Sequence, residues 1–221
     1  MIPLRDVIPS RTTPYITLTI IVLNAVAWFY EVQLPDRALQ TSLQVYGVVP
    51  AHFHPLTLLT SMFLHGGWSH VIGNMWYLWI FGDNVEDNVG HGRFILFYLL
   101  CGFAAALGQI VIDPASTLPM IGASGAIAGV MGAYFVLYPR SRVLTLIPLI
   151  IFWEVIEVPA IMLLGFWFLM QLFSAGAIAV TASSHGGGVA FMAHVVGFVA
   201  GILAVFVLKQ PQATPWQDDP Y

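Results

Sequence analysis

The apolar run from Ala126 to Tyr138 is too short for a membrane helix that starts at the surface. Roughly 15 residues separate Ser124 from Arg140, whereas about 20 are needed to span the hydrocarbon layer. Gly122-Ala123-Ser124-Gly125 opens this run, so the helix begins within the bilayer with Ser124 at its buried tip. Non-helical backbone at such depth survives only where protein encloses it or water reaches it. A hydroxyl at the floor of a water-filled cavity suggests chemistry.

The bilayer setting follows from composition. The chain is 58% hydrophobic and 8% charged, with mean hydropathy +0.83, against about 25% charged residues in a soluble domain. The expected class is an all-α polytopic membrane protein. There is no basic patch, so nucleic acid is not an expected partner. The single cysteine, Cys101, excludes an intrachain disulfide and a CxxC site and reads as a small packing residue. Arg5 and Arg11 precede an apolar stretch in which Ala25-Val26-Ala27 resembles a leader cleavage site. Because Trp28, Phe29 and Tyr30 continue the stretch, it reads as a retained first helix. Residues 1–209 are expected to form one membrane domain without a large soluble partner domain. Residues 210–221, with Pro211, Pro215, Asp218, Asp219 and Pro220, read as a disordered tail.

Six spans are expected, at 15–32, 69–82, 93–112, 124–138, 158–179 and 190–208. A further apolar piece, Val143 to Trp153, is too short to cross and precedes Glu154 and Glu157, so it is placed at the interface. With the N-terminus in the cytoplasm, Arg5, Arg11, Arg93, Arg140, Arg142 and Lys209 all fall inside and only Arg37 outside, as the positive-inside bias requires. Both termini are then cytoplasmic. The segment 33–68 becomes an outer loop, partly embedded through Leu56 to Leu64.

Strongly polar side chains within spans are costly and mark function by default. His70, Asn74, Ser124 and His194 stand out. At about 1.5 Å rise per residue, Ser124 lies roughly 24 Å above Arg140, His194 roughly 22 Å above Lys209 and His70 roughly 20 Å above Asp83. Three helices therefore carry polar residues to nearly one level, in the outer half of the bilayer. Gly125, Gly129 and Ala128, Gly132 on one helix, and Ala193, Gly197, Gly201 on another, form small-residue stripes that let backbones touch. Such a contact brings Ser124 and His194 to the same end.

A serine hydroxyl needs a base, and neutral imidazole is the natural one near pH 7. The oxyanion formed by attack on a carbonyl needs preorganised donors. Backbone N–H groups at the helix start beside Gly122 and Ser124, the Asn74 amide and the His70 ring can supply them. Asp83, Glu86, Asp87, Glu154 and Glu157 fall on the inner side and Asp113 on the outer, at a distance from His194 that the sequence does not fix, so a Ser–His dyad is favoured over a triad. Taken singly, such residues usually bond within or across helices; four at one depth, with glycines flanking Ser124, read as a site. His65 reads as a loop residue or a support for that site, and His185 as part of a flexible loop. His52 and His54 lack further ligands for zinc. There is no HExxH and no pair of mid-span aspartates, so zinc and aspartyl intramembrane proteases are disfavoured. No metal or other cofactor is expected.

These residues resemble a known family, the rhomboid intramembrane serine proteases in their minimal six-helix bacterial form. The resemblance rests on Phe63-Leu64-His65-Gly66-Gly67-Trp68-Ser69-His70-Val71-Ile72-Gly73-Asn74, then Gly82 to Glu86 with Gly90 and Arg93. Gly122-Ala123-Ser124-Gly125 and Ala193-His194-Val195-Val196-Gly197 complete it, in family order, from about residue 55 to 205. It implies that Ser124 is the nucleophile, that His194 is the general base, and that His70 and Asn74 line the oxyanion hole. It also implies that the fifth span and the following loop form a gate and cap, with Phe166, Trp167 and Phe168 as its bulk. Two departures stand out. Leu56-Thr57 occupy the place of a Trp-Arg pair, and Ala128 occupies that of a tyrosine beneath the histidine.

The expected function is intramembrane serine endopeptidase activity on transmembrane protein substrates, in a bacterial inner (plasma) membrane, with the site open to the outer side. The alternative is a non-catalytic relative that binds membrane helices, although such relatives typically lack the nucleophile or the base. A transporter would predict internal repeats, and none is seen.

Overall fold

The computed structural model describes residues 1–148, 153–181 and 190–210; His185 and the tail from 211 onward lie outside them. Its helices are α1 (Tyr15–Glu31), α2 (Asp36–Tyr46), α3 (Thr57–Thr60), α4 (Trp68–Val89), α5 (His91–Ile112), α6 (Ser124–Leu137), α7 (Ala160–Thr181) and α8 (Phe191–Leu208). Each expected span corresponds to one of them, with bounds shifted by a few residues at most sites. Three, α5, α7 and α8, are long and apolar enough to cross a membrane, whereas α1 and α6 are shorter apolar helices. Helix α4 extends seven residues past the expected end at Gly82, to Val89, and carries Asp83, Glu86 and Asp87 in its last turns.

The expectation of an all-α chain needs correction. Strands β1 (Ile2–Asp6), β2 (Arg142–Pro148) and β3 (Trp153–Pro159) form an antiparallel sheet in the order β1-β2-β3. The stretch taken as one apolar piece from Val143 to Trp153 is thus strand β2, a connection outside the described residues, and the start of β3. The local signal is present in hindsight. Val143 and Thr145 alternate inward on β2, and β3 is rich in β-branched residues. A hairpin returns the chain to the end it left, with Arg142 opposite Pro159. It therefore does not invert the path between α6 and α7.

The core lies among α4, α5, α6 and α8, where Leu78, Phe81, Phe94, Phe97, Met131 and Tyr134 are fully buried. Contact between α6 and α8 is made by glycine. An added Cβ at Gly197 would stand 2.2 Å from the Gly125 carbonyl oxygen, at Gly201 1.9 Å from that of Gly129, and at Gly132 2.1 Å from that of Phe198. Helix α5 closes on the same seam, since a Cβ on Gly125 would meet that of Ala105 at 2.6 Å and one on Gly129 would meet Cys101 at 2.4 Å. The small stripes read from sequence do face each other, and Cys101 packs among them.

Buried carboxylates organise the other end. Glu86 accepts the N–H groups of Ile16 (3.0 Å) and Thr17 (2.8 Å), satisfying donors that the start of α1 leaves without intrahelical partners. Asp6 on β1 accepts from the Tyr134 hydroxyl at 2.7 Å and from the Asn84 amide at 3.1 Å, tying the strand to α6 and α4. Gln210 donates its backbone N–H to the Asn88 carbonyl at 3.1 Å.

Two predictions follow from this packing. Gly201→Ala should destabilise the fold by about 1–3 kcal/mol, the usual cost of overpacking. Gly73→Ala, with nothing within 4 Å of the new methyl, should be neutral or stabilising. Thermal unfolding in detergent reads both, and equal midpoints would contradict the glycine seam. Burial, with the nearby Asp83 charge adding to it against the Tyr134 hydrogen bond, pushes the Asp6 carboxyl up from 3.8 to about 7. The folded state then holds a proton that the unfolded chain releases, so this contribution is full below pH 4 and is lost as pH rises through about 7. Asp6→Asn should narrow the stability difference between acid and mildly alkaline buffer; an unchanged difference would exclude the carboxyl as its source.

Candidate active site

Helix α6 starts at Ser124 after a turn at Gly122, whose φ of +112° is one that L side chains rarely adopt. The segment between α1 and α4 holds this turn in place. The Gly122 N–H donates to the Ser61 carbonyl at 2.8 Å, and Val48 and Met120 exchange both backbone bonds at 3.0 and 2.8 Å. The loop is anchored in turn by its buried residues Thr57, Ser61 and Met62, the last lying against Gly102 of α5. Met62 and its neighbours therefore pack this segment against α5. Thr57, where a Trp-Arg pair was missing, donates to the His54 carbonyl at 2.6 Å.

Across the glycine seam, Ser124 Oγ stands 2.8 Å from Nε2 of His194 on α8. Ser124 is partly accessible and His194 is buried. The other ring nitrogen, Nδ1, is 2.8 Å from Oε1 of Gln171 on α7. Trp167, one turn earlier on α7, lies over the ring at a centroid distance of 5.8 Å. Gln171 was missed from sequence because the search for a third group considered only acids. The available signal was an amide within the apolar run Leu169-Met170-Gln171-Leu172-Phe173. Trp167 and Gln171 support the ring where Ala128 leaves no tyrosine beneath it.

The donors on α4 are ordered by their neighbours. His65 Nδ1 faces the Phe63 carbonyl at 3.3 Å, which only accepts, so in the neutral ring Nε2 accepts from Asn74 Nδ2 at 3.0 Å. One N–H of the Asn74 amide remains. His70 Nδ1 accepts the Gly66 N–H at 3.3 Å, which leaves a proton on its Nε2. A Cβ on Gly122 would lie 2.6 Å from that Nε2 and 3.5 Å from Asn74 Nδ2. The two side chains thus converge on the Gly122 backbone, two residues before Ser124, and the absent methyl is what leaves them room. His65 is buried beneath them, its N–H bonded to the Glu31 carboxylate at 3.1 Å, so it is a support rather than a free loop residue.

All five residues singled out from sequence, His70, Asn74, Gly122, Ser124 and His194, therefore meet at one end of the α4–α6–α8 cluster. His52 and His54 are exposed and stand apart from it. Among the described residues no group of three His, Cys, Asp or Glu side chains is placed to hold a metal ion.

Similarity to known proteins points to one family. A family model described as the Rhomboid domain matches residues 52–211. The putative rhomboid protease YdcA of Bacillus subtilis is 27% identical over 90% of this chain and 91% of its own length. Rhomboid protease GluP of the same organism is 35% identical over 71% of this chain, which corresponds to 26% of that protein. Rhomboid-like protein 11, chloroplastic, of Arabidopsis thaliana is 29% identical over 80% of this chain and 60% of its own. The chain thus spans less than two thirds of the length of two of these relatives and nearly all of the third. With the family model covering most of the sequence and helices apolar enough to cross a bilayer, this chain is an integral membrane protein that belongs to the rhomboid family.

Proposed function

We propose that the chain is an intramembrane serine endopeptidase acting on transmembrane segments of other proteins. The observation that carries this reading is the 2.8 Å approach of Ser124 Oγ to His194 Nε2. His194 takes the hydroxyl proton as Oγ attacks the scissile carbonyl, forming a C–O bond and a tetrahedral oxyanion. The remaining Asn74 N–H, the His70 Nε2–H and the backbone N–H groups at the start of α6 donate to that oxyanion. His194 then passes its proton to the departing amine as the C–N bond breaks, and water, activated by the same ring, releases the acyl group. Gly122 keeps the donor pocket open.

In this reading α1, α4, α5, α6, α7 and α8 all cross the bilayer, and residues 1–209 form one membrane domain with both ends in the cytoplasm. The site faces the outer side of a bacterial inner membrane. Arg140 and Lys209, at the ends of α6 and α8 remote from Ser124 and His194, support that orientation through the positive-inside bias. The family membership and the printed names of the Bacillus relatives support the protease class. The reaction needs neither nucleic acid nor metal.

Treating the purified protein in vesicles with a fluorescent fluorophosphonate should label Ser124, and Ser124→Ala should abolish labelling together with cleavage of a library of single-span proteins. His194→Ala should be nearly as inactive, because nucleophile and base act as a unit. Cleavage by a folded Ser124→Ala variant would defeat the mechanism, and helix binding without labelling would point to a non-catalytic relative. A substrate helix must unwind to expose its carbonyl, so Ala→Gly changes near the scissile bond, which weaken a helix by about 1 kcal/mol each, should raise cleavage. Equal rates for helix-stabilised and helix-weakened substrates would exclude unwinding as a limiting step.

A further inference from the structure

A neutral imidazole carries one N–H. For His194 Nε2 to receive the Ser124 proton, that N–H must sit on Nδ1, and a buried N–H needs an acceptor. Among the described residues, the group bonded to Nδ1 is Gln171, with Oε1 at 2.8 Å. An amide amid apolar residues of a membrane helix is costly unless it is bonded, so this contact has a reason beyond filling space. Trp167 and Gln171, four residues apart on one face of α7, both reach the same ring.

The helix that supplies these groups is the most exposed of the long apolar ones. Only 17% of Ala160–Ala177 in α7 is buried, against 33% for α5 and 39% for α8. Its docking on α8 includes the Phe168–Phe198 ring contact at 4.8 Å and the Trp167–Phe198 contact at 6.1 Å. The orientation of the base is thus tied to the helix with the least packing to lose.

Resting on the reading of Ser124 and His194 as nucleophile and base, we propose that Gln171 is the positioning residue of this site. Its amide oxygen holds His194 in the tautomer that accepts the serine proton, so the site is competent only while α7 is docked against α8. Gln171 is bonded to Nδ1, the ring nitrogen remote from Ser124, and acts through the ring.

The test is the rate of fluorophosphonate labelling at Ser124 in the full-length protein reconstituted in vesicles, followed across pH and probe concentration. Gln171→Leu removes the acceptor and should lower the maximal labelling rate by about tenfold, the worth of one hydrogen bond, without changing the probe concentration for half-maximal rate. Gln171→Glu restores an acceptor. It should keep the rate near wild type at alkaline pH and move the acid limb of the profile to higher pH, because a carboxylate beside Nδ1 favours the charged ring. Phe168→Ala should slow labelling in the wild-type background and add nothing in the Gln171→Leu background, as coupled residues behave. If both Gln171 variants label at the wild-type rate with an unshifted profile, even with a lowered melting temperature, Gln171 is a packing residue and the proposal falls. Additive slowing by Phe168→Ala would overturn the dependence on α7. Absence of labelling in the wild-type protein would instead defeat the catalytic reading itself.

Discussion

The site depends on the direct contact of two helix backbones. At the crossing of α6 and α8 a methyl added at Gly132, Gly197 or Gly201 would enter a carbonyl oxygen of the facing helix, and one at Gly125 or Gly129 would meet Ala105 or Cys101 of α5. Apolar side chains gain little by leaving lipid for another helix, so association in a bilayer relies on close van der Waals fit. The seam meets that requirement and sets the separation of the two axes. A serine on the first turn of α6 and a histidine on the first turn of α8 can then share a hydrogen bond, although 70 residues apart in sequence. A wider crossing, with leucine in place of glycine, would leave both side chains in place and out of reach.

Much of this was legible in the sequence because lipid simplifies the reading. Where nearly every side chain is apolar, a polar residue is conspicuous, and its depth follows from counting residues to the nearest charge. That is how His70, Asn74, Ser124 and His194 could be set at one level, and how Gly122, beside them, acquired a reason. The small-residue stripes added which helices touch. Gln171 was readable by the same criterion and was passed over because only carboxylates were considered as partners for the ring. A neutral acceptor suffices to hold a tautomer, and in a medium where an unpaired charge is expensive an amide is the cheaper choice.

The sheet was less accessible. Pairing of Ile2 with Leu146 and of Asp6 with Val143 joins segments some 140 residues apart, and no local period announces it. The stretch from Arg142 to Pro159 has strand composition. Its apolar content in a membrane chain nonetheless suits an interfacial segment equally well, and periodicity over so few residues does not separate the two. Here long-range hydrogen bonding decided the outcome, with Asp6 acting as the tie from strand to helices.

The arrangement also divides the molecule by rigidity. Helices α4, α5, α6 and α8 hold Ser124, His194, His70 and Asn74 on a glycine-lined core, and the segment between α1 and α4 clamps the Gly122 turn through Ser61 and Val48. Helix α7 adds Ala160, Leu163 and Leu164 to that core, is fed directly by β3, and places one amide and one indole against the ring of His194. A cleft lined by Tyr77 of α4, Met131 of α6 and Leu163, Phe166, Trp167 and Met170 of α7 runs along its inner flank. Trp167 lines this cleft and also packs against the ring of His194. Under the proposed mechanism, a segment seated in this cleft and the orientation of His194 would share Trp167. Under the proposed mechanism the reacting pair sits on α6 and α8, so the lighter burial of α7 leaves untouched the glycine seam that sets their separation and bears only on the orientation of the His194 ring.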